Sequence, residues 1–195
     1  MSAPPVTAFR FDEATHAYTH AETGEAYPSV TQLLKRAGLI DTTFLTPEGR
    51  ARGTAVHELC AAYDNGLVRR HEVVSRYRGW FLAYLRMLDL IRPEILTVEQ
   101  AAIHPVLRFG GRPDRTIKMQ GITGVLEIKT GAKAKSDPIQ TALQVILLTH
   151  DHPLPFNAWG RYVVYVKENG KFSLEEHRLR ADFDEAYRIL RRFTS

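Results

Sequence analysis

Cysteine is almost missing from this sequence. Among 195 residues only Cys60 carries a thiol, which excludes an internal disulfide and, from this chain alone, a cysteine-ligated iron–sulfur cluster. The opening MSAPPVTAFRF has no apolar core of the kind a secretory leader needs. With the scarce cysteine, that sets the expectation of a cytoplasmic protein. Long hydrophobic runs are lacking too: ALQVILL is among the longest, far below the length that spans a bilayer, so no membrane association is expected. There is no low-complexity tract and no internal repeat. Nor is there a large charge surplus. The 26 Lys and Arg face 22 Asp and Glu, a net +4, which does not by itself mark a nucleic-acid binder. The remainder is ordinary for a globular chain, 44% apolar and 25% charged, and the length suits one domain with a proper core.

The elements follow from punctuation and periodicity. FRFDEATHAYTHAETGEAYPSV alternates around a Glu-Thr-Gly-Glu turn and predicts a hairpin burying Phe9, Phe11 and Tyr18. Ser29 caps a short helix that closes at Gly38. A longer helix runs from Thr46, its cap, through Pro47 to about Asn65, with Gly66 ending it. An amphipathic helix is predicted from Glu72 to about Ile91. Its aromatic stripe, Trp80, Phe81 and Tyr84, reads as core more readily than as a base-stacking surface. ILTVEQAAIHPV predicts a strand that brings Glu99, by itself a strand-surface carboxylate. Asn169-Gly170 marks a hairpin, and ADFDEAYRILRRF a final amphipathic helix. Asp137 is expected to cap the helix that starts at Pro138.

One stretch carries chemistry. In GGRPDRTIKMQGITGVLEIK, Gly110 to Lys129, Asp114 opens one candidate strand and Glu127 and Lys129 end a second. Gln120-Gly121 forms the turn between them. Alternation puts Glu127 and Lys129 on one face and Ile128 on the other. Two carboxylates converging beside a backbone carbonyl suit a hard cation such as Mg²⁺ or Mn²⁺, and a nearby ammonium can hold a water or offset charge on a phosphate. The bland alternative is an exposed ion pair of little energetic weight. Arg112 and Arg115 flank Asp114 and are the expected phosphate contacts. Gln140 and Gln144, four residues apart, share a helix face. Upstream, RGTAVHELC places Arg52 and His57 beside small residues that leave room for a ligand; a core or exposed histidine is the alternative.

Gly-Arg-Pro-Asp114, then Glu127-Ile-Lys129-Thr-Gly131, then a glutamine on the following helix resembles the signature of the PD-(D/E)xK nuclease superfamily, its RecB-type and phage exonuclease branch above all. YPSVTQLLKRAGL and the G-x-x-x-H-E element at Gly53–Glu58 extend the resemblance over most of the chain. It implies an α/β restriction-endonuclease-like fold, a central mixed sheet flanked by helices, over 1–195. Residues 1–45 would form an N-terminal hairpin and short helix, and residues 46–195 the catalytic core. It implies a metal-dependent deoxyribonuclease, an exonuclease of phage or bacterial recombination and repair type, with DNA as substrate and a phage or host recombination protein as a further partner. His57, Asp114, Glu127 and the Ile128 carbonyl would hold one or two Mg²⁺ or Mn²⁺ ions. Asp114, Glu127, Lys129 and Gln144 would be catalytic, and Arg52, Arg112, Arg115 and Gln140 would bind substrate, with Glu99 lining the site. Leu148 stands where the family has a tyrosine, which weakens any expectation of substrate stacking there. A non-catalytic nucleic-acid- or partner-binding module on the same fold is the alternative.

Overall fold

The computed structural model describes residues 8–13, 15, 17–40, 46–73, 76–150 and 154–194. In chain order its elements are β1 (Phe9–Asp12), β2 (Ala17–His20), β3 (Ala26–Tyr27), α1 (Val30–Arg36), α2 (Pro47–Asp64) and α3 (Arg78–Ile91). Then come β4 (Glu94–Val98), β5 (Ala102–His104), β6 (Phe109–Gly111), β7 (Arg115–Met119), β8 (Ile122–Lys129) and α4 (Asp137–Thr149). The chain closes with β9 (Gly160–Val166), β10 (Phe172–Glu176) and α5 (Arg180–Phe193).

The centre is a mixed five-stranded sheet in the order β10-β9-β8-β7-β4. β7 and β8 form an antiparallel hairpin. Its turn residues Gln120 and Gly121 both have positive φ, 50° and 84°, the conformation that suits a two-residue hairpin and favours glycine. β8 and β9 run parallel, with Lys129 opposite Tyr165, and α4 makes the crossover between them, as a parallel pair requires. Two apolar layers enclose the sheet. On one face α1, α4 and α5 pack with Val125 and Trp159. On the other α2 and α3 cover Ile117, Leu126, Ile128, Tyr162 and Val164. Strand alternation therefore sends Ile128 toward α2 and α3, and Glu127 and Lys129 toward α4.

The helix starts follow their caps. Ser29 and Gln32 form a reciprocal capping box on α1, and Thr46 accepts from Gly49 N–H at the start of α2, with Pro47 in the first turn. α3 begins at Arg78 rather than Glu72. The Glu72 carboxylate accepts from Arg69 N–H at 2.8 Å, and the Glu72 N–H donates back to Arg69 O, closing a turn instead of opening a helix; Val74 and Ser75 lie outside the described residues. The strand expected across Glu99 is two strands, β4 and β5, with Glu99 between them at φ 46°.

A small sheet, β1-β2-β3, buries Tyr18 and Tyr27 against Ile103. It meets the centre at the glycine pair of the motif. A β-carbon on Gly110 would come within 2.4 Å of the Tyr18 ring, and one on Gly111 within 2.9 Å of Leu147. The two glycines thus serve close packing just before Asp114.

Candidate active site

The site forms where β7 begins and β8 ends. Asp114 precedes β7, and its Oδ2 accepts from Ile128 N–H at 2.7 Å. Its own N–H faces Glu127 Oε1 at 3.3 Å. The Asp114 carbonyl accepts from Glu99 N–H and from Arg115 Nη1 at 2.5 Å. Backbone and side chain of Asp114 are therefore both fixed. From α2, His57 Nδ1 approaches Asp114 Oδ1 to 3.2 Å.

Glu127, only 3% exposed, faces the first two turns of α4. Gln144 Nε2 donates to its Oε1 and Gln140 Nε2 to its Oε2, each at 2.5 Å. The four-residue spacing of the glutamines lets one helix face serve both oxygens. Lys129 Nζ donates to Gln140 Oε1 at 2.7 Å and lies 3.5 Å from Glu127 Oε2. Asp137 Oδ1 stands 3.9 Å from the same ammonium group.

The electrostatics reflect the crowding. Burial pushes the Asp114 carboxyl up, but His57, the Ile128 N–H and Lys129 together outweigh it and hold it below its usual value. Glu127 is pushed up, first by burial and then by the Asp114 charge. His57 rises to about 9, chiefly through Asp114, against the opposing effect of burial. Lys129 is drawn down by burial and more than restored by Glu127, Asp114 and Asp137, so its pKa lies above the ordinary lysine value. At neutral pH it is an ammonium group: a donor, not a base.

Other expected contacts go elsewhere. Arg115 is not at the surface. It is fully buried, bonded through Nε to Asp64 of α2 at 2.6 Å, and cannot reach a phosphate. Alternation puts it on the sheet face of Ile117, away from the site. Arg112 lies 3.0 Å from Glu13 and 3.5 Å from Glu99, over the Phe11 ring. Glu99 accordingly meets Arg112 rather than the carboxylate pair. Arg52 stacks on Trp80, 5.5 Å from its ring centre, and its buried Nε has no hydrogen-bond partner among the described residues. A β-carbon on Gly53 would meet only Thr130 Oγ1 at 3.9 Å, so this glycine serves no close packing. Asp137 does not cap a helix begun at Pro138: it is itself the first residue of α4, and Ser136 holds the cap position without a side-chain bond. The Asp137 carboxylate instead accepts from Ala134 N–H and from the Tyr165 hydroxyl. Its place beside Lys129 was missed because Tyr165 meets it only through the parallel pairing of β8 with β9.

Carboxylate oxygens and an imidazole nitrogen are donor types that divalent cations accept. Adjacent ligands on an octahedral ion at about 2.0–2.1 Å are about 3.0 Å apart, close to the 3.2 Å between His57 Nδ1 and Asp114 Oδ1. The raised Glu127 pKa is that of a carboxylate which gains from a cation between it and its neighbour. Among the described residues, no group of three or more His, Cys, Asp or Glu side chains is placed to hold a metal ion; the two glutamine amides occupy the Glu127 oxygens.

No family model matches the chain, and no curated protein matches it. Among solved structures, the chain is similar to LHK-Exo in complex with dAMP. The two are 17% identical, the match covers 86% of this chain and 85% of that one, and the TM-score is 0.39. That likeness is loose, and the functional reading stands on the side chains just described. No helix among the described residues is long and apolar enough to cross a membrane.

Proposed function

We propose that this protein is a metal-dependent nuclease of PD-(D/E)xK type that hydrolyses phosphodiester bonds in DNA. The observation that carries the reading is the meeting of Asp114, Glu127 and Lys129 in one hydrogen-bonded cluster, with His57 against Asp114. Two buried carboxylates side by side are costly unless a cation or proton offsets them, and a purely structural site has no need of that arrangement.

His57, Asp114, Glu127 and the Ile128 carbonyl would hold Mg²⁺ or Mn²⁺. Such an ion supplies Lewis-acid stabilisation of charge on a phosphate and lowers the pKa of a water. The protein's own part is positioning and charge. Lys129, kept as an ammonium group, donates a hydrogen bond to the attacking water or to a phosphate oxygen. Gln140 orients Lys129 and Glu127 toward one another, since its amide bonds both. Gln144 fixes the other Glu127 oxygen. His57, whose pKa Asp114 raises to about 9, would have to lose its proton to act as a ligand. Arg52, beside Trp80, is the basic group proposed to meet the DNA backbone. Dependence on a DNA end is taken from the exonuclease resemblance.

The test is a time course with matched linear and closed-circular DNA, each with Mg²⁺, Mn²⁺ or EDTA. Metal-dependent loss of the linear form alone is the expected result. Cutting of both forms would keep the chemistry and remove the end-dependence. If neither is cut while DNA still binds, the protein is a binding module.

A further inference from the structure

Asp137 is a third buried carboxylate at the site, and the cluster of Asp114, Glu127 and Lys129 accounts for no part of it. It is 3% exposed. Its Oδ2 is held from two directions, by the Tyr165 hydroxyl at 2.8 Å and by Ala134 N–H at 2.9 Å. That leaves Oδ1 as the oxygen turned toward Lys129 Nζ, 3.9 Å away. Tyr165 is the β9 residue directly opposite Lys129 in the parallel register, so both side chains rise from the same level of the sheet toward the start of α4. An ammonium group has three protons. Around this one stand three acceptors: Gln140 Oε1 at 2.7 Å, Glu127 Oε2 at 3.5 Å and Asp137 Oδ1 at 3.9 Å.

A carboxylate that only began a helix would face solvent and the free N–H groups of the first turn. This one is buried, braced by a tyrosine from another strand, and aimed at a lysine. We propose that Asp137, braced by Tyr165, is a positioning residue that holds the Lys129 ammonium group at the Glu127 carboxylate. This rests on the nuclease reading. Without Asp137 the flexible lysine keeps only the Gln140 and Glu127 contacts, and its geometry toward the reacting phosphate loosens.

Asp137→Asn keeps the shape and an acceptor for Tyr165 while removing the charge; Tyr165→Phe removes the brace and leaves the charge. Each variant is measured for melting temperature, DNA Kd and single-turnover cleavage with Mg²⁺. The Lys129 side-chain ammonium is also followed by ¹H–¹⁵N NMR in EDTA, assigned by its loss in Lys129→Arg. In wild type a resolved, slowly exchanging ammonium signal is expected. In Asp137→Asn the signal broadens away and cleavage falls about 10- to 100-fold, the range for residues that orient a catalytic group. DNA Kd stays within about twofold. Tyr165→Phe gives a smaller loss in the same direction, and Asp137→Glu restores part of the rate. Wild-type cleavage and an unchanged ammonium signal in Asp137→Asn would overturn the assignment and leave the nuclease intact. Wild type that cuts no DNA would overturn the nuclease reading, and with it any role of Asp137 in a reaction, whatever the NMR signal shows.

Discussion

Arg115 and Asp64 form an ion pair at 2.6 Å with side chains 0% and 2% exposed. The pair ties two elements of the site together. Asp64 lies two turns beyond His57 on α2, and Arg115 follows Asp114 at the start of β7. The same guanidinium also bonds the Asp114 carbonyl, and Tyr84 of α3 donates its hydroxyl to Asp64 at 2.7 Å. The meeting of His57 with Asp114 is thus set by a second cross-link, parallel to it and fully buried.

Arg115→Met should therefore cost about 3–5 kcal/mol, because the Asp64 charge stays buried without its partner. Joint replacement with Asp64→Leu should recover much of that loss, since no lone charge then remains. Urea unfolding of the two variants checks both statements. A single-variant loss under about 1 kcal/mol would mean that the pair does not hold α2 on the sheet.

His57 gives a pH signature. Asp114 raises its folded-state pKa to about 9 from the usual 6.5. Protonated His57 thus stabilises the metal-free fold fully below pH 6.5, and that contribution is lost as pH rises through about 9. Melting of wild type and His57→Gln in EDTA should show a gap in favour of wild type that narrows over this window. Mn²⁺ affinity should rise with pH over the same range as the competing proton leaves. A gap independent of pH would mean that the Asp114–His57 contact does not form in solution.

Glu127→Gln separates the cost of two close carboxylates from their use. Without metal, relief of repulsion with Asp114 offsets a weakened bond to Gln140 or Gln144, so stability should stay within about 1 kcal/mol of wild type. With Mn²⁺ at 100 times its Kd, wild type should gain about 2.7 kcal/mol and the variant little. Calorimetry with and without Mn²⁺ decides it. Equal metal responses would place the cation elsewhere.

Much of this arrangement could be read from local signals. Ser29 and Thr46 mark helix starts, Gln120-Gly121 and Asn169-Gly170 mark hairpins, and alternation puts Glu127 and Lys129 together on one face. Each of these depends on residues near in sequence. Arg115 was harder to read because its charge suggested the surface, although it shares a strand face with Ile117 and Met119, which already pointed inward. Asp137 was harder still. Its position before Pro138 is what a helix start looks like, while the contacts that matter, Lys129 and Tyr165, depend on a parallel strand pair joined through a helix. No local pattern encodes that pairing. Glu72 shows the reverse case: a good helix former taken up by its own turn with Arg69.

The most direct measurement is single-turnover cleavage of an end-labelled linear duplex by wild type and Lys129→Ala, with Mg²⁺ and with EDTA, both proteins first shown to melt alike. The account predicts cleavage by wild type only with Mg²⁺, and a rate at least about 100-fold lower in Lys129→Ala, the scale for losing one electrostatic donor at a reacting group, with duplex binding retained. Equal rates for the two proteins, or no cleavage by wild type on a duplex it binds, would contradict it.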